Sequence, residues 1–148
     1  MSGVGAQSQI ICGLVERRRT PGVAAITRFE DIEAWKSAQR MSQAYDRRGG
    51  AIKSGRLHKQ LEDCADSAMA NIVEGYDSRS DAEFLRFLKI AYRSTSEFQS
   101  HLYVARNRGF LDGAGFDELY GLARETKALI GGFMRYLKGC LKDPKARR

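Results

Sequence analysis

Apolar residues recur at steps of three and four from residue 29 onward, which is the pattern of amphipathic helices rather than strands. The first run predicts a helix over about residues 29–48, ended by two arginines and a glycine pair. Its inward positions are Ile32, Trp35, Ala38, Ser42 and Tyr45. The chain before this run shows no sustained period of either kind, so we expect residues 1–28 to form a flexible basic extension.

The second run predicts a helix over about residues 55–76 and is rich in small residues, which let a neighbouring backbone approach closely. A third helix begins at Ser80, because Ser80 and Glu83 have the spacing of a capping box, and it closes at Arg108 and Gly109. Its apolar arc is wider than one bundle interface needs. We therefore expect a surface beyond its own bundle to cover the flanking set, which is Leu85, Leu88, Tyr92 and Tyr103.

A predicted turn over residues 112–117 leads into a fourth helix, whose apolar residues run at near-heptad spacing from 119 to 140. An aspartate and a proline then end it. Four amphipathic helices joined by short turns predict an all-α, antiparallel up-down-up-down four-helix bundle over residues 29–141. Residues 142–148 form a basic tail.

Polar residues interrupt the apolar runs of the second and third helices. They are Ser67, Asn71, Glu74, Ser94 and Glu97. One interpretation is a buried polar site with a function. The favoured interpretation is structural: Asn71 and Glu74 satisfy the free amides at the start of the third helix. In that interpretation Glu97 pairs with Lys59, which a symmetric hairpin places at the same level, or with Arg56.

Residues that usually carry catalysis or bind metals are few and scattered. Cys12, Cys64 and Cys140 are odd in number and form no CxxC pair, which indicates neither a disulfide framework nor a zinc site. His58 and His101 occupy positions expected to be exposed, without a metal-binding partner at a helical step. No nucleophile and base, and no phosphate-binding glycine loop, can be assembled. We therefore expect a non-catalytic protein without cofactor or metal.

The longest apolar stretch near the N-terminus, residues 10–15, is too short to span a bilayer. Its basic cluster follows it, whereas the basic region of a signal peptide comes first. With the cysteine usage, this favours a cytoplasmic protein without a membrane partner.

Charge adds a candidate partner. The 148 residues carry 25 basic and 18 acidic side chains, a formal charge of +7 that favours an anionic partner such as nucleic acid. Much of the excess lies in the two terminal segments. Candidate phosphate contacts are Arg17, Arg18 and Arg19 in the extension, and Arg86, Lys89 and Arg93 along one face of the third helix. That stripe also fits a merely solvated face, because no aromatic interleaving or base-reading motif accompanies it.

The segment Asn71-Ile72-Val73-Glu74-Gly75, followed by Phe87-Leu88, Ile90-Ala91, Ser94 and Glu97, resembles a known hallmark. Proteins encoded in intervening sequences of 23S ribosomal RNA genes carry Asn-Ile-Ala-Glu-Gly and then Phe-Leu-x-Ile-Ala-x-x-Ser-x-x-Glu. Val73 stands where the family usually has alanine. Residues near Phe29 and Trp35 also resemble the opening helix of this family, so the resemblance covers about residues 29–140.

This resemblance implies a bacterial, cytoplasmic four-helix bundle. It implies a structural role for the motif residues, which are Ser67, Asn71, Glu74, Gly75, Ser94 and Glu97. It also suggests a ring-like homopentamer, since the related accessory proteins of diversity-generating retroelements are pentameric barrels that bind a reverse transcriptase and nucleic acid.

Together, the residues and the resemblance predict a non-catalytic homo-oligomeric scaffold. It would bind RNA, DNA or a nucleic-acid enzyme through basic surfaces, without sequence preference. The alternative is a protein-interaction module with no nucleic-acid role, in which the positive charge is incidental. An enzyme with a site at a subunit interface near Asn71, Glu74 and Glu97 has the least support, because no nucleophile or base partner accompanies them.

Overall fold

The computed structural model describes residues 26–143, which form four helices and no strand. The predicted all-α class is confirmed. The helices are α1 (Glu33–Arg48), α2 (Gly55–Asp77), α3 (Asp81–Asn107) and α4 (Gly113–Lys142). Most of the predicted basic extension and the tail from residue 144 onward lie outside the described residues, Arg17, Arg18, Arg19 and Cys12 among them. Over residues 26–143, no helix combines the length and apolarity that crossing a bilayer requires.

Two helices begin at residues other than those predicted. Phe29–Asp31 forms a 3₁₀ turn, and the extended backbone of Ile32 separates it from α1, which starts four residues later than predicted. The predicted turn over residues 112–117 is mostly the first turn of α4. Asp112 caps it, because its Oδ1 accepts a hydrogen bond from the Gly115 amide at 2.6 Å. Near-heptad apolar spacing marked the packed part of α4 but not its cap.

The predicted boundaries of α3 are confirmed. The Ser80 Oγ accepts a hydrogen bond from the Glu83 amide at 3.2 Å, as a capping box requires. The Glu83 carboxylate accepts from the Arg79 amide at 3.3 Å, one residue earlier than the reciprocal bond of an ideal box. At the other end Gly109 has a φ of 77°, and the amides of Gly109 and Phe110 bond back to the last turn of α3.

Each helix packs against two others: α1 against α2 and α4, and α3 against α2 and α4. Tyr45 of α1 and Phe98 of α3 meet edge to face in the core, with ring centroids 5.8 Å apart. The polar pair Ser37 and Thr126 is fully buried between α1 and α4, joined by a 2.8 Å hydrogen bond. Every helix supplies large side chains that are fully buried, among them Met41, Leu61, Ile72, Leu88, Leu102, Leu119, Ile130 and Leu137.

The wide apolar arc of α3 is largely covered within the single chain. Leu85 and Leu88 are buried, and the ring of Phe84 packs against Phe133 of α4 with centroids 4.9 Å apart. The expectation that a surface beyond the bundle covers the flanking set is therefore wrong for Leu85 and Leu88. It stays open for Tyr103, which is 42% exposed.

Gly75 sets the distance between the end of α2 and the start of α3. A Cβ at this position would lie 2.7 Å from Cε2 of Phe84 and 3.3 Å from the Phe84 carbonyl oxygen, and it would overlap Cδ2. The Phe84 ring cannot move away freely, because it is buried and packed against Phe133. The glycine of the family-like motif is therefore needed for packing.

We expect Gly75→Ala to lower the free energy of unfolding by about 1–3 kcal/mol, because the added methyl overpacks the α2–α3 contact. Urea unfolding followed by circular dichroism measures the change. Gly139→Ala is the matched control, since Gly139 is exposed in α4 with nothing within 4 Å of its Cβ position. The free energy of unfolding of that control should rise by up to about 1 kcal/mol, because alanine has a higher helix propensity than glycine. Equal effects of the two substitutions would contradict the packing role.

Candidate functional site

The polar residues predicted between α2 and α3 are only partly brought together. Ser67 and Ser94 share a 2.8 Å hydrogen bond between their hydroxyls. The Asn71 side-chain amide donates to the Ser67 carbonyl at 2.8 Å and to the Ser67 Oγ at 3.1 Å. These three residues form one small network, which we call the polar cluster. Its hydrogen-bonding groups are engaged with each other and with the α2 backbone, as buried polar groups usually are.

The predicted capping role of Asn71 and Glu74 is wrong. Asn71 bonds within α2, and Glu74 is exposed and forms no hydrogen bond or ion pair with residues 26–143. Ser80 itself binds an amide at the start of α3. The prediction assumed that the positive N-terminal end of α3 attracts the Glu74 carboxylate. The Glu74 side chain instead lies on the solvent side of α2.

Glu97 also has a partner other than the one predicted. The Cys64 thiol lies 3.8 Å from the Glu97 Oε2 and donates to it, whereas Lys59 pairs with Asp63 on its own helix at 3.0 Å. The contact between Ser67 and Ser94 fits the same register, which places Cys64 rather than Lys59 level with Glu97. The true centre of the hairpin therefore lies about two residues further along the chain than the sequence suggested.

Cys64 is poorly suited to act as a nucleophile. Burial, together with the neighbouring Glu97 carboxylate, raises the pKa of the Cys64 thiol from its ordinary 9.0 to about 11. The thiol is thus neutral at physiological pH, and the thiolate is the reactive form. Cys140 is likewise a free, buried cysteine. Among residues 26–143 no three His, Cys, Asp or Glu side chains form a metal-binding group.

His58 is part of a hydrogen-bond chain that the sequence prediction missed. Its Nδ1 lies 2.8 Å from the Tyr45 hydroxyl, and its Nε2 lies 3.2 Å from the Glu62 Oε1. Burial raises the pKa of Tyr45, so the phenol stays neutral, and in the tautomer whose Nε2–H faces Glu62 the Tyr45 hydroxyl donates a hydrogen bond to Nδ1. Nε2–H then donates to Glu62. The i,i+4 spacing of His58 and Glu62 is the sequence signal that could have indicated this contact. The hydrogen-bond chain gives the buried Tyr45 hydroxyl a partner.

The predicted basic stripe, Arg86, Lys89 and Arg93, is exposed on α3. Further cations stand on α3 and on the neighbouring α4, although at 3.6 residues per turn Arg86 and Arg93 lie on the solvent face of α3 rather than on its α4 side. We call the following set of cations on the two helices the basic seam: Arg86, Lys89, Arg93 and Arg106 of α3, with Arg124, Lys127, Arg135 and Lys138 of α4. The α4 members were missed because their alignment with α3 depends on how the two helices pack.

Ion pairs are distributed unevenly around the bundle. The pairs within residues 26–143 take their cations from α1, α2 and the segment before α1, as in the pairs of Arg40 with Glu125 and of Arg48 with Glu118. The cations of the basic seam form none with carboxylates of that part of the chain. None of these cations therefore has a carboxylate oxygen of residues 26–143 within 4 Å.

Aromatic rings lie among these cations. The Lys127 Nζ is 5.0 Å from the centroid of the Tyr92 ring, a cation–π contact between α4 and α3. Arg135 Nη1 and Tyr92 Cε2 both lie 3.5 Å from the position that a Gly131 Cβ would occupy. Gly131 thus lies beside both the guanidinium and the ring, at ordinary van der Waals distance.

A second group of rings lies further along the same seam. The Arg106 guanidinium carbon is 5.0 Å from the Tyr103 centroid and 4.2 Å from the Phe116 centroid. Tyr120 meets the Tyr103 ring edge to face, with centroids 5.5 Å apart. The interaction with Tyr103 raises the pKa of Tyr120, which therefore stays neutral at physiological pH. These rings contact Arg106 and Lys127 rather than Arg86, Lys89 or Arg93 of the predicted stripe, and two of them come from α4.

We expect Glu97→Gln to lower the pKa of Cys64 and to speed its alkylation by iodoacetamide at pH 9, because the variant removes the carboxylate charge beside the thiol. The rate is measured between pH 7 and 12 in a Cys12→Ser, Cys140→Ser background. Glu74→Gln is the control and should leave the profile unchanged. An identical midpoint for all three proteins would contradict the assigned contact.

The same raised pKa fixes the sign of a stability effect. The folded-state pKa of Cys64 is higher than the ordinary 9.0, so the neutral thiol stabilises the fold below about pH 9. This contribution is lost as the pH rises towards 11.

Comparison with known proteins places the chain in a family. The sequence model of the 23S rRNA-intervening sequence protein matches residues 30–132, which include α1, α2, α3 and about two thirds of α4. A comparison with curated proteins gives no match. The family match covers well over half of the chain and contains the whole motif that includes Asn71 and Gly75. The chain therefore belongs to the family of 23S rRNA-intervening sequence proteins.

Proposed function

We propose that this protein is a non-catalytic scaffold that binds RNA or DNA through the basic seam, without sequence preference. The observation that carries the proposal is the absence of carboxylate partners for the seam cations within residues 26–143. A set of exposed cations without carboxylate partners attracts polyanions, because phosphate binding releases the counterions that surround a nucleic acid. Ion-paired cations such as Arg40 offer much less, because a carboxylate already neutralises them.

The helix order supports a seam that runs along the bundle. As residue numbers rise on α3, the contacting numbers on α4 fall: Phe84 meets Phe133, Tyr92 meets Lys127 and Tyr103 meets Phe116. The other contacts fit the same rule, so the proposal includes the antiparallel up-down-up-down arrangement. In this arrangement the α3 and α4 cations stand on two neighbouring, antiparallel helices. The basic extension with Arg17, Arg18 and Arg19, together with the basic tail, would add phosphate contacts.

The non-catalytic part of the proposal rests on the polar cluster and its surroundings. Ser67, Asn71 and Ser94 use their polar atoms on one another and on the α2 backbone. The neighbouring Cys64 thiol has a raised pKa and is buried, which are the properties of a packing residue. The cluster is therefore better suited to fixing the α2–α3 contact than to reacting with a substrate. We place the scaffold in the cytoplasm, where the unpaired cysteines would stay reduced.

The proposal also includes self-association, for which charge polarity is the support. Exposed carboxylates are frequent on α2: Glu62 and Asp63 pair with His58 and Lys59 of the same helix, whereas Asp66 and Glu74 have no cation partner among residues 26–143. This acidic surface lies on α2, which packs on α1 and α3, whereas the basic seam lies on α3 and α4. A head-to-tail contact of the acidic surface of one copy with the basic surface of the next would be complementary and, repeated, could close into a ring.

For the nucleic-acid proposal we expect binding of a mixed-sequence, fluorescently labelled RNA to weaken roughly tenfold or more between 50 and 200 mM salt. Removing three seam cations in Lys89→Ala, Arg93→Ala, Arg124→Ala should reduce the slope of log K against log salt by about 2. Fluorescence anisotropy of the full chain measures both effects.

The matched control for that experiment removes three ion-paired cations, in Lys36→Ala, Arg40→Ala, Lys59→Ala, and so changes the net charge by the same amount. Its slope should stay close to that of the unmodified protein. Equal slopes for the two triple variants would overturn the seam. Absence of binding at 50 mM salt would overturn the nucleic-acid proposal and leave the protein-interaction module as the remaining candidate.

For self-association we expect light scattering to give a mass that is a multiple of 16.6 kDa at low salt and that falls as salt rises, because exposed charge contacts are screened. Asp66→Lys, Glu74→Lys should reduce the low-salt mass, whereas Glu33→Lys, Asp46→Lys on α1 should not. A constant mass of one chain in all conditions would overturn this part of the proposal and leave nucleic-acid binding untouched.

A further inference from the structure

We propose that the basic seam is a path for single-stranded rather than double-stranded nucleic acid, with Tyr103 as a stacking platform for an unpaired base. This inference rests on the proposed function and names the substrate class of the same surface. It follows from an observation that charge alone does not explain: the exposed ring of Tyr103 lies beside Arg106, on the helix that also carries Arg86, Lys89 and Arg93.

The exposure of Tyr103 is unusual within this chain. It is the only large hydrophobic side chain among residues 26–143 that is classed as exposed, at 42%. Phe116 and Tyr120 of α4 support the ring from the side, with centroids 5.0 and 5.5 Å away. Because these contacts already hold the ring in place, it loses little conformational entropy when a base stacks on it, and binding is weakened less by that cost.

Cations accompany the rings at two places along the seam. Arg106 lies over Tyr103 and Phe116, and Lys127 lies over Tyr92. Alternating rings and cations suit single strands, because bases stack on the rings while phosphates contact the cations. In a duplex the bases already stack on each other and expose only their edges, so the rings would gain nothing from it.

The length of the seam sets the expected footprint. Tyr92 and Tyr103 are eleven residues apart on one helix, and a rise of 1.5 Å per residue separates them by roughly 16 Å. From Arg86 to Arg106 the same rise gives about 30 Å along the helix axis, which a single strand covers with at most about nine nucleotides, because 3.4 Å is the fully stacked spacing of a duplex strand and an unstacked strand is longer per nucleotide. This falls within the span of roughly 4–16 nucleotides that single-strand binding sites of similar size cover.

The proposal is tested with the full chain, an oligothymidylate of 12 nucleotides and a 12-base-pair duplex, by fluorescence anisotropy at 50 mM salt. Tyr103→Leu removes the ring but keeps an apolar side chain, and should weaken single-strand binding by roughly five- to a hundredfold. Tyr103→Phe keeps the ring and should bind within about twofold of the unmodified protein. Duplex affinity should change by less than about twofold in both variants.

Tyr76→Leu is the control, because Tyr76 is a half-buried tyrosine of α2, away from the seam. Circular dichroism confirms that the variants fold. Ultraviolet cross-linking of a bromouridine oligonucleotide to the unmodified protein gives a readout without any variant, and peptide mapping should locate the cross-link at Tyr103 or Tyr120.

The outcomes separate the two proposals. If single strands and duplex bind equally and Tyr103→Leu changes neither, the stacking platform is wrong while the polyanion scaffold stands. Equal weakening of both ligands, or a cross-link confined to residues outside α3 and α4, would also overturn the platform. Failure of the unmodified protein to bind either ligand would overturn the proposed function, and this inference with it.

Discussion

The close contact between Gly75 and Phe84 is the constraint on which the arrangement of α2 and α3 depends. Without a side chain at Gly75 the end of α2 approaches the first turn of α3, and the Phe84 ring fills the space between them. That contact belongs to the register that places Ser67 opposite Ser94 and Cys64 opposite Glu97. The Phe84 ring also packs edge to face with Phe133, so the contact links α2 indirectly to α4.

Polar groups inside this bundle serve the register more than they serve chemistry. Ser37 with Thr126, Ser67 with Ser94, and Tyr45 with His58 each join two helices through one hydrogen bond. Each such bond contributes only about 1 kcal/mol net, but misalignment would leave both partners buried and unsatisfied. The bonds therefore discriminate against shifted packings, where apolar contacts alone would tolerate sliding. Ser67 and Ser94 of the family motif fit this role, whereas Asn71 bonds within α2 and Glu74 faces solvent.

The described ion-paired cations and the cations of the basic seam lie on different helices, a difference that the net charge of the protein does not show. The described ion pairs neutralise cations of α1 and α2, while α3 and α4 carry cations without such partners. Exposed, unpaired cations of like sign repel each other, so their accumulation on one surface does not help the fold. A surface that is kept at some cost to stability is a reasonable place to look for function, and here it also carries the most exposed aromatic ring.

The sequence by itself determined the class of fold and most helix ends, because periodicity, caps and glycines act over a few residues. Ser80, Glu83 and Gly109 were sufficient to delimit α3. The motif containing Asn71 and Gly75 also indicated the family. What the sequence could not determine was which side chains meet across helices, since a shift of one turn preserves the same apolar pattern.

Only the tertiary structure therefore decided that Cys64, rather than Lys59, lies beside Glu97, and that Glu74 faces solvent instead of capping α3. It also decided that cations and rings of α4 join the α3 stripe, as Lys127 does over Tyr92. The physical reason is the same in each case. Local signals fix the position of a helix along the chain, but the alignment of two helices depends on close packing at sites such as Gly75 and Phe84.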